Sequence, residues 1–182
     1  MTNIYEIKAF ASDVDGVFTN GQVLGLPDGD LLRQYDSKDI FAVRTATDNG
    51  YPFAIITGGY SKGLYYRFSS TGIPDEDIHQ MAKNKLPVFL DFCKLHGLKP
   101  EEVVYFGDDI PDLECVKAAG IGVVPCDASK QLRDAADLVS PYPGGRLCVR
   151  HFVEMVLTAQ NKWIFRPEKP WKGFPPAPML EK

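Results

Sequence analysis

Four short apolar runs separated by helical segments constrain this chain more than any other feature of its sequence. The runs are KAFASD (8–13), FAIIT (53–57), VVYFG (103–107) and IGVV (121–124). Runs this short and this continuous suit strands buried on both faces. Between them, helical patterns over Ser37–Asn49, Ser61–Thr71, Lys85–His96 and Pro111–Ala119 stop at Gly50, Gly72, Gly97 and Gly120, and glycine is favoured just past a helix C-terminus. Strands that alternate with helices pair in parallel through right-handed crossovers. The expected fold is therefore α/β, a doubly wound, Rossmann-like, mainly parallel sheet with helices on both faces. Gln22–Tyr35 departs from the alternation. Two short extended runs there flank Pro27-Asp28-Gly29-Asp30, which predicts a small β-hairpin flap just after the first strand. An amphipathic helix over 146–159 closes the pattern. Residues 1–160 thus read as one domain, and 161–182, rich in proline and carrying Trp163 and Trp171, as a tail without regular structure.

Composition narrows the function. A chain of 182 residues with 45% hydrophobic and 24% charged residues is neither fibrous nor disordered. No apolar run approaches the ~20 residues that span a bilayer, and Met1–Lys8 carries Glu6 without a basic-then-apolar pattern, so neither a membrane nor a secretory signal is expected. The expected setting is cytoplasmic. Cys93, Cys115, Cys126 and Cys148 form no Cys-x-x-Cys pair and read as reduced core thiols. The formal net charge of -4 argues against nucleic acid as a partner. Asp is twice as frequent as Glu, and the acidic excess lies in the body, since the stretch from Gln160 onward is basic. A cation site is the more plausible consequence.

Ligands of open α/β sheets bind at the carboxyl ends of the strands, so the residues that end each run come first. They are Asp13-Val14-Asp15-Gly16, then Thr57-Gly58-Gly59, then Gly107-Asp108-Asp109-Ile110-Pro111-Asp112, with Lys85 opening the helix before the third. Each piece alone is weak. Asp-x-Asp recurs at 28/30 and 75/77 as turns, and an EF-hand fails because Gly16 stands fourth rather than sixth. Lys83 competes with Lys85, and Asp109 and Asp112 can equally cap the helix that follows. His79, His96 and His151 show no ligand spacing. The signal lies in the order: carboxylate pair, Thr-Gly, Lys, acidic cluster.

That order resembles the haloacid dehalogenase superfamily of aspartate-nucleophile phosphotransferases, over residues 13 to 112. The resemblance implies that Asp13 attacks phosphorus and that Asp15 protonates the leaving alcohol and then deprotonates the hydrolytic water. It implies that Thr57 holds a phosphoryl oxygen with help from Gly58 and Gly59, and that Lys85 neutralises the nucleophile and the phosphate; Lys85 is favoured over Lys83 by its separation from Asp108. Asp108, Asp13 and the backbone carbonyl of Asp15 would ligate Mg²⁺, with Asp109 and Asp112 behind them. Asp15 performs its role only if its surroundings favour a proton that an exposed Asp lacks at pH 7. Dehalogenases lack an acid at that position, so a phosphatase is expected. The short spacings from Asp13 to Thr57, Lys85 and Asp108 leave room for no cap domain, as in the capless branch. Asp13–Gly16, Ile56–Gly59, Arg67, Gly107–Asp112, Gly144-Gly145 and Arg150 resemble the members of that branch that hydrolyse acidic sugar phosphates. The implied substrate is 3-deoxy-D-manno-octulosonate 8-phosphate (KDO 8-phosphate), an intermediate of lipopolysaccharide synthesis. Gly59 favours it over a sialic-acid-type 9-phosphate, although many such relatives carry Arg there. Arg67 and Arg150 are the candidates to grip the sugar carboxylate. The resemblance also implies a homotetramer, in which the flap and the 144–150 segment approach a neighbour's site. The alternative from another class is a non-catalytic phosphatase-like regulatory domain.

Overall fold

A computed structural model describes residues 3–164. The sheet has six strands, all paired in parallel: β1 (Ala9–Ser12), β4 (Phe53–Ile56), β5 (Ile78–His79), β6 (Val103–Phe106), β7 (Ile121–Val124) and β8 (Leu138–Val139), in the order β5-β4-β1-β6-β7-β8. The four apolar runs form its centre. Side chains alternate along β1, so Phe10 joins one core while Ala9 and Ala11 join the other. The first core packs α1 (Ser37–Asp48), α2 (Lys62–Ser69) and α6 (Cys148–Ala159) onto one face; the second packs α3 (Lys85–Leu95), α4 (Leu113–Ala118) and α5 (Lys130–Ala135) onto the other. Helices on both faces of a parallel sheet are what the sequence pattern predicts. The chain runs outward from β1 to β4 and β5, then returns to β6 on β1's other side. The end of β1 is thus the topological switch point, where ligands of such sheets bind.

The edge strands β5 and β8 and the helix α5 were not visible in the sequence, because two-residue strands carry no periodicity. Ser61 caps α2 by accepting from Gly63 N, and Asp36 caps α1 by accepting from Lys38 N. Helix α6 begins two residues later than the sequence suggests. Gly145 (φ 69) and Leu147 (φ 72) are left-handed, and the buried Asp39 of α1 accepts from the backbone N–H groups of Leu147 and Arg150, tying down the helix start. The flap is a hairpin of β2 (Leu24–Gly25) and β3 (Leu31–Leu32), which pair antiparallel. Of the four cysteines three are buried and all are free, but Cys126 is exposed, contrary to its expected place in the core. It follows the end of β7 in a turn, where its neighbour Asp127 faces solvent too. Among the described residues no helix is long and apolar enough to cross a membrane. The expected tail lies mostly outside the described residues, except that Trp163 packs edge-on to Phe41.

Candidate active site

Every strand-end motif lies along one edge of the sheet. Asp13 follows β1 and extends its pairing by one residue, its N–H donating to Phe106 O at 2.9 Å. The next residues fold back in a tight turn in which Phe18 N–H donates to Val14 O. Gly16 sits there at φ +84, and a Cβ on it would fall 1.9 Å from Asp108 Oδ2. Only glycine allows that approach. Gly144 and Gly145 pack behind the turn: a Cβ on Gly144 would lie 1.9 Å from Gly16 O, and Gly145 N–H donates to Val17 O at 2.8 Å. The di-glycine segment therefore buttresses the loop that carries Asp15.

Lys85 is the hub. Its ammonium lies 2.8 Å from Asp13 Oδ2 and 2.8 Å from Asp112 Oδ1. Lys83 is exposed, so it is Lys85, not its competitor, that the structure brings to Asp13. Asp112 is fully committed: Tyr105 OH donates to Oδ1 at 2.8 Å, and Oδ2 faces Asp108 N. The buried ammonium is balanced by two carboxylates, and Tyr105 adds a further donor to one of them, which is how a buried positive charge is tolerated. Burial pulls the Lys85 pKa down, but Asp13 and Asp112 outweigh it and the net shift is upward. Tyr105 was missed in the sequence, since its reach to Asp112 depends on which face of β6 it occupies. Asp109 turns away and caps the following turn by accepting from Ile110 N at 2.8 Å. Thr57 is buried at the end of β4, its Oγ1 accepting from Gly59 N.

Asp13 Oδ1 is buried with no partner, and carboxylate oxygens of Asp13, Asp108 and Asp112 lie within 4.8 Å of one another. Three carboxylates against one lysine leave an excess of negative charge. Burial first, then the neighbouring carboxylates, push Asp13 and Asp108 up to about 7. An all-oxygen donor set with an orphaned oxygen fits a hard divalent cation such as Mg²⁺. A stability test follows. Asp13 and Asp108 bind protons more tightly folded than unfolded, where the value is 3.8, so the metal-free protein loses stability as pH rises from about 4 through about 7. Saturating Mg²⁺ is expected to raise Tm by roughly 5 °C or more at pH 8 and by much less at pH 5. Equal shifts at both pH values, read by calorimetry, would remove the cation from this cluster.

The two arginines fare differently. Arg67 on α2 is half-buried, with no ion-pair partner among the described residues, and burial lowers its pKa. Arg150 is paired with Glu154 and stacks on Trp163, its guanidinium 4.6 Å from the ring centroid. It lines a separate cavity with Lys38 and Tyr142. Asp15 meets Arg33 of the flap, whose Nε and Nη2 donate to its two oxygens at 2.7 and 2.8 Å. Arg33 was not singled out in the sequence, where nothing marks an arginine that reaches back across the flap.

The sequence profile of the haloacid dehalogenase-like hydrolases matches residues 30–120. The 3-deoxy-D-manno-octulosonate 8-phosphate phosphatase KdsC of Salmonella typhi is 33% identical over 162 residues, 89% of this chain and 85% of that protein. The KdsC of Escherichia coli K12 is 33% identical over 86% of this chain and 82% of its own length. Among solved structures, the corresponding phosphatase of Yersinia pestis superposes with TM-score 0.84 at 30% identity, covering 88% of this chain and 85% of its own. That of Moraxella catarrhalis, solved with magnesium, phosphate and KDO, superposes with TM-score 0.83 at 32% identity, covering 88% and 91%.

Proposed function

The chain belongs to the haloacid dehalogenase-like hydrolases, and within them to the KDO 8-phosphate phosphatases, and from that membership we propose how its residues release phosphate from KDO 8-phosphate. The observation that carries the reading is Asp13 itself, with Oδ2 held by Lys85 and Oδ1 buried and unpartnered at the switch point of the sheet. A carboxylate attacks phosphorus only when its own charge and that of the phosphate are offset. Lys85 supplies part of that offset, and Asp112 and Tyr105 hold the lysine in place from behind. When bound, Mg²⁺ supplies the rest as a Lewis acid, held by Asp13, Asp108 and the Asp15 backbone carbonyl. In this scheme Asp13 forms an aspartyl-phosphate, Asp15 gives a proton to the departing sugar oxygen and later takes one from water, and Thr57 with the Gly58 and Gly59 backbone orients the phosphoryl oxygens. Asp109, capping its own turn, acts only through the loop that carries Asp108.

Arg67 is proposed to meet the sugar carboxylate. Arg150 enters only as a group that a neighbouring subunit can meet. A homotetramer is proposed because a capless site leaves the sugar in water, where ion pairs contribute little, and because the flap presents Val23, Leu24 and Leu32 to solvent, with Leu24 63% exposed. The four free cysteines support a reducing, cytoplasmic setting. With Mg²⁺, a panel of sugar phosphates is expected to show KDO 8-phosphate turned over at least about 100-fold better, by kcat/KM, than a sialic-acid-type 9-phosphate or a neutral sugar phosphate. Light scattering on the same sample is expected to give four times 20.2 kDa. A flat panel would overturn the substrate, no phosphate release at all would favour the non-catalytic alternative, and a monomer would overturn the assembly.

A further inference from the structure

Arg33 of the flap holds the carboxylate that the proposed chemistry uses as its acid. Its Nε and Nη2 donate to the two oxygens of Asp15, its Nη1 to Leu31 O, and its side chain is 2% exposed. Both Asp15 oxygens accept from this guanidinium, which ties the carboxylate to the flap. Gly59 leaves room for the pair as it stands. A Cβ there would fall 2.6 Å from Arg33 Nη2, and Gly59 has no left-handed φ that would call for glycine on backbone grounds. What the glycine supplies is room for the guanidinium. Beside this pair, a cavity of about 210 Å³ opens between the flap and α2, lined by Arg33, Arg67, Tyr35, Ser61 and a single acid, Asp30. The Tyr35 hydroxyl is buried with no partner. Two guanidiniums and an idle hydroxyl around one cavity suit a carboxylate.

We propose that Arg33 is a specificity-determining residue of this site. It is parked on Asp15 in the space over Gly59, and it transfers to the carboxylate of an acidic sugar phosphate, which leaves Asp15 free to serve the departing oxygen. The proposal deepens the functional reading and rests on it. Exchange of one carboxylate for another keeps the guanidinium paired throughout, so the acidic substrate provides the differential binding that the shift requires. A phosphate ester without a carboxylate offers no exchange, and Asp15 stays occupied.

Two variants test this against KDO 8-phosphate and ribose 5-phosphate, which lacks the carboxylate. Arg33→Ala is expected to lower kcat/KM on KDO 8-phosphate by about 100-fold and to raise it on ribose 5-phosphate, because Asp15 is released. Gly59→Ala keeps every polar group but pushes Arg33 off Asp15, at the far end of a flexible side chain, and is expected to shift the preference in the same direction. Circular dichroism and melting establish that both variants fold. Equal losses on the two substrates, or a Gly59→Ala protein with unchanged preference, would overturn the assignment and leave Arg33 a prop for Asp15. A wild-type protein without turnover of KDO 8-phosphate would overturn the functional reading and the assignment together, and it is recognised without either variant.

Discussion

Asp13→Asn is expected to lower turnover of every phosphate monoester by at least ~10⁴-fold, aryl and sugar phosphates alike, because an amide neither forms the aspartyl-phosphate nor holds Mg²⁺ as a carboxylate does. The fold should survive the change. Lys85 keeps Asp112 at 2.8 Å, so no buried ammonium is stranded, and the crowding that pushes Asp13 and Asp108 up to about 7 is relieved. Melting within a few degrees of wild type, together with absent phosphate release over a long incubation, is the expected pair of results. Turnover within tenfold of wild type would remove Asp13 from the chemistry.

Asp15→Asn is expected to divide substrates by leaving group. Sugar alcohols leave poorly without a proton, so the release of sugar should slow by about 10³-fold, within the usual range for general acid catalysis. p-Nitrophenol needs little protonation, and its release should slow by less than about tenfold. The burst of leaving group in a single turnover is the proper measurement. It reads the first step alone, whereas steady-state rates include hydrolysis of the phosphorylated enzyme, which also uses Asp15. Asn retains one acceptor for Arg33, so the flap stays tethered and the loss does not come from a displaced hairpin. Equal slowing of both bursts would assign Asp15 a structural role.

Much of the site could be read from the sequence because it depends on strand ends. An apolar run long enough to be buried must stop somewhere, and where it stops, Asp13, Thr57 and Asp108 emerge on one edge of the sheet. The alternation of strands and helices determined which edge. What escaped notice depends instead on contacts between distant elements. Tyr105 looks like any buried strand residue until its facing toward α3 and α4 is known. Asp39 looks like an ordinary first-turn acid of α1, yet it is buried and holds the start of α6. Arg33 reaches Asp15 only because a hairpin of two-residue strands folds back over Gly59. β5 and β8 fall below the length at which a pattern exists.

The hairpin that carries Arg33 bears on how such an enzyme diversifies. Asp13, Lys85, Asp112 and Tyr105 are locked into one another at the ends of the buried central strands. Arg33 is anchored by a short ribbon at the surface, opposite a single glycine. If Arg33 sets substrate choice as proposed, a change of preference falls on positions 33 and 59 and leaves the residues that hold Asp13 untouched.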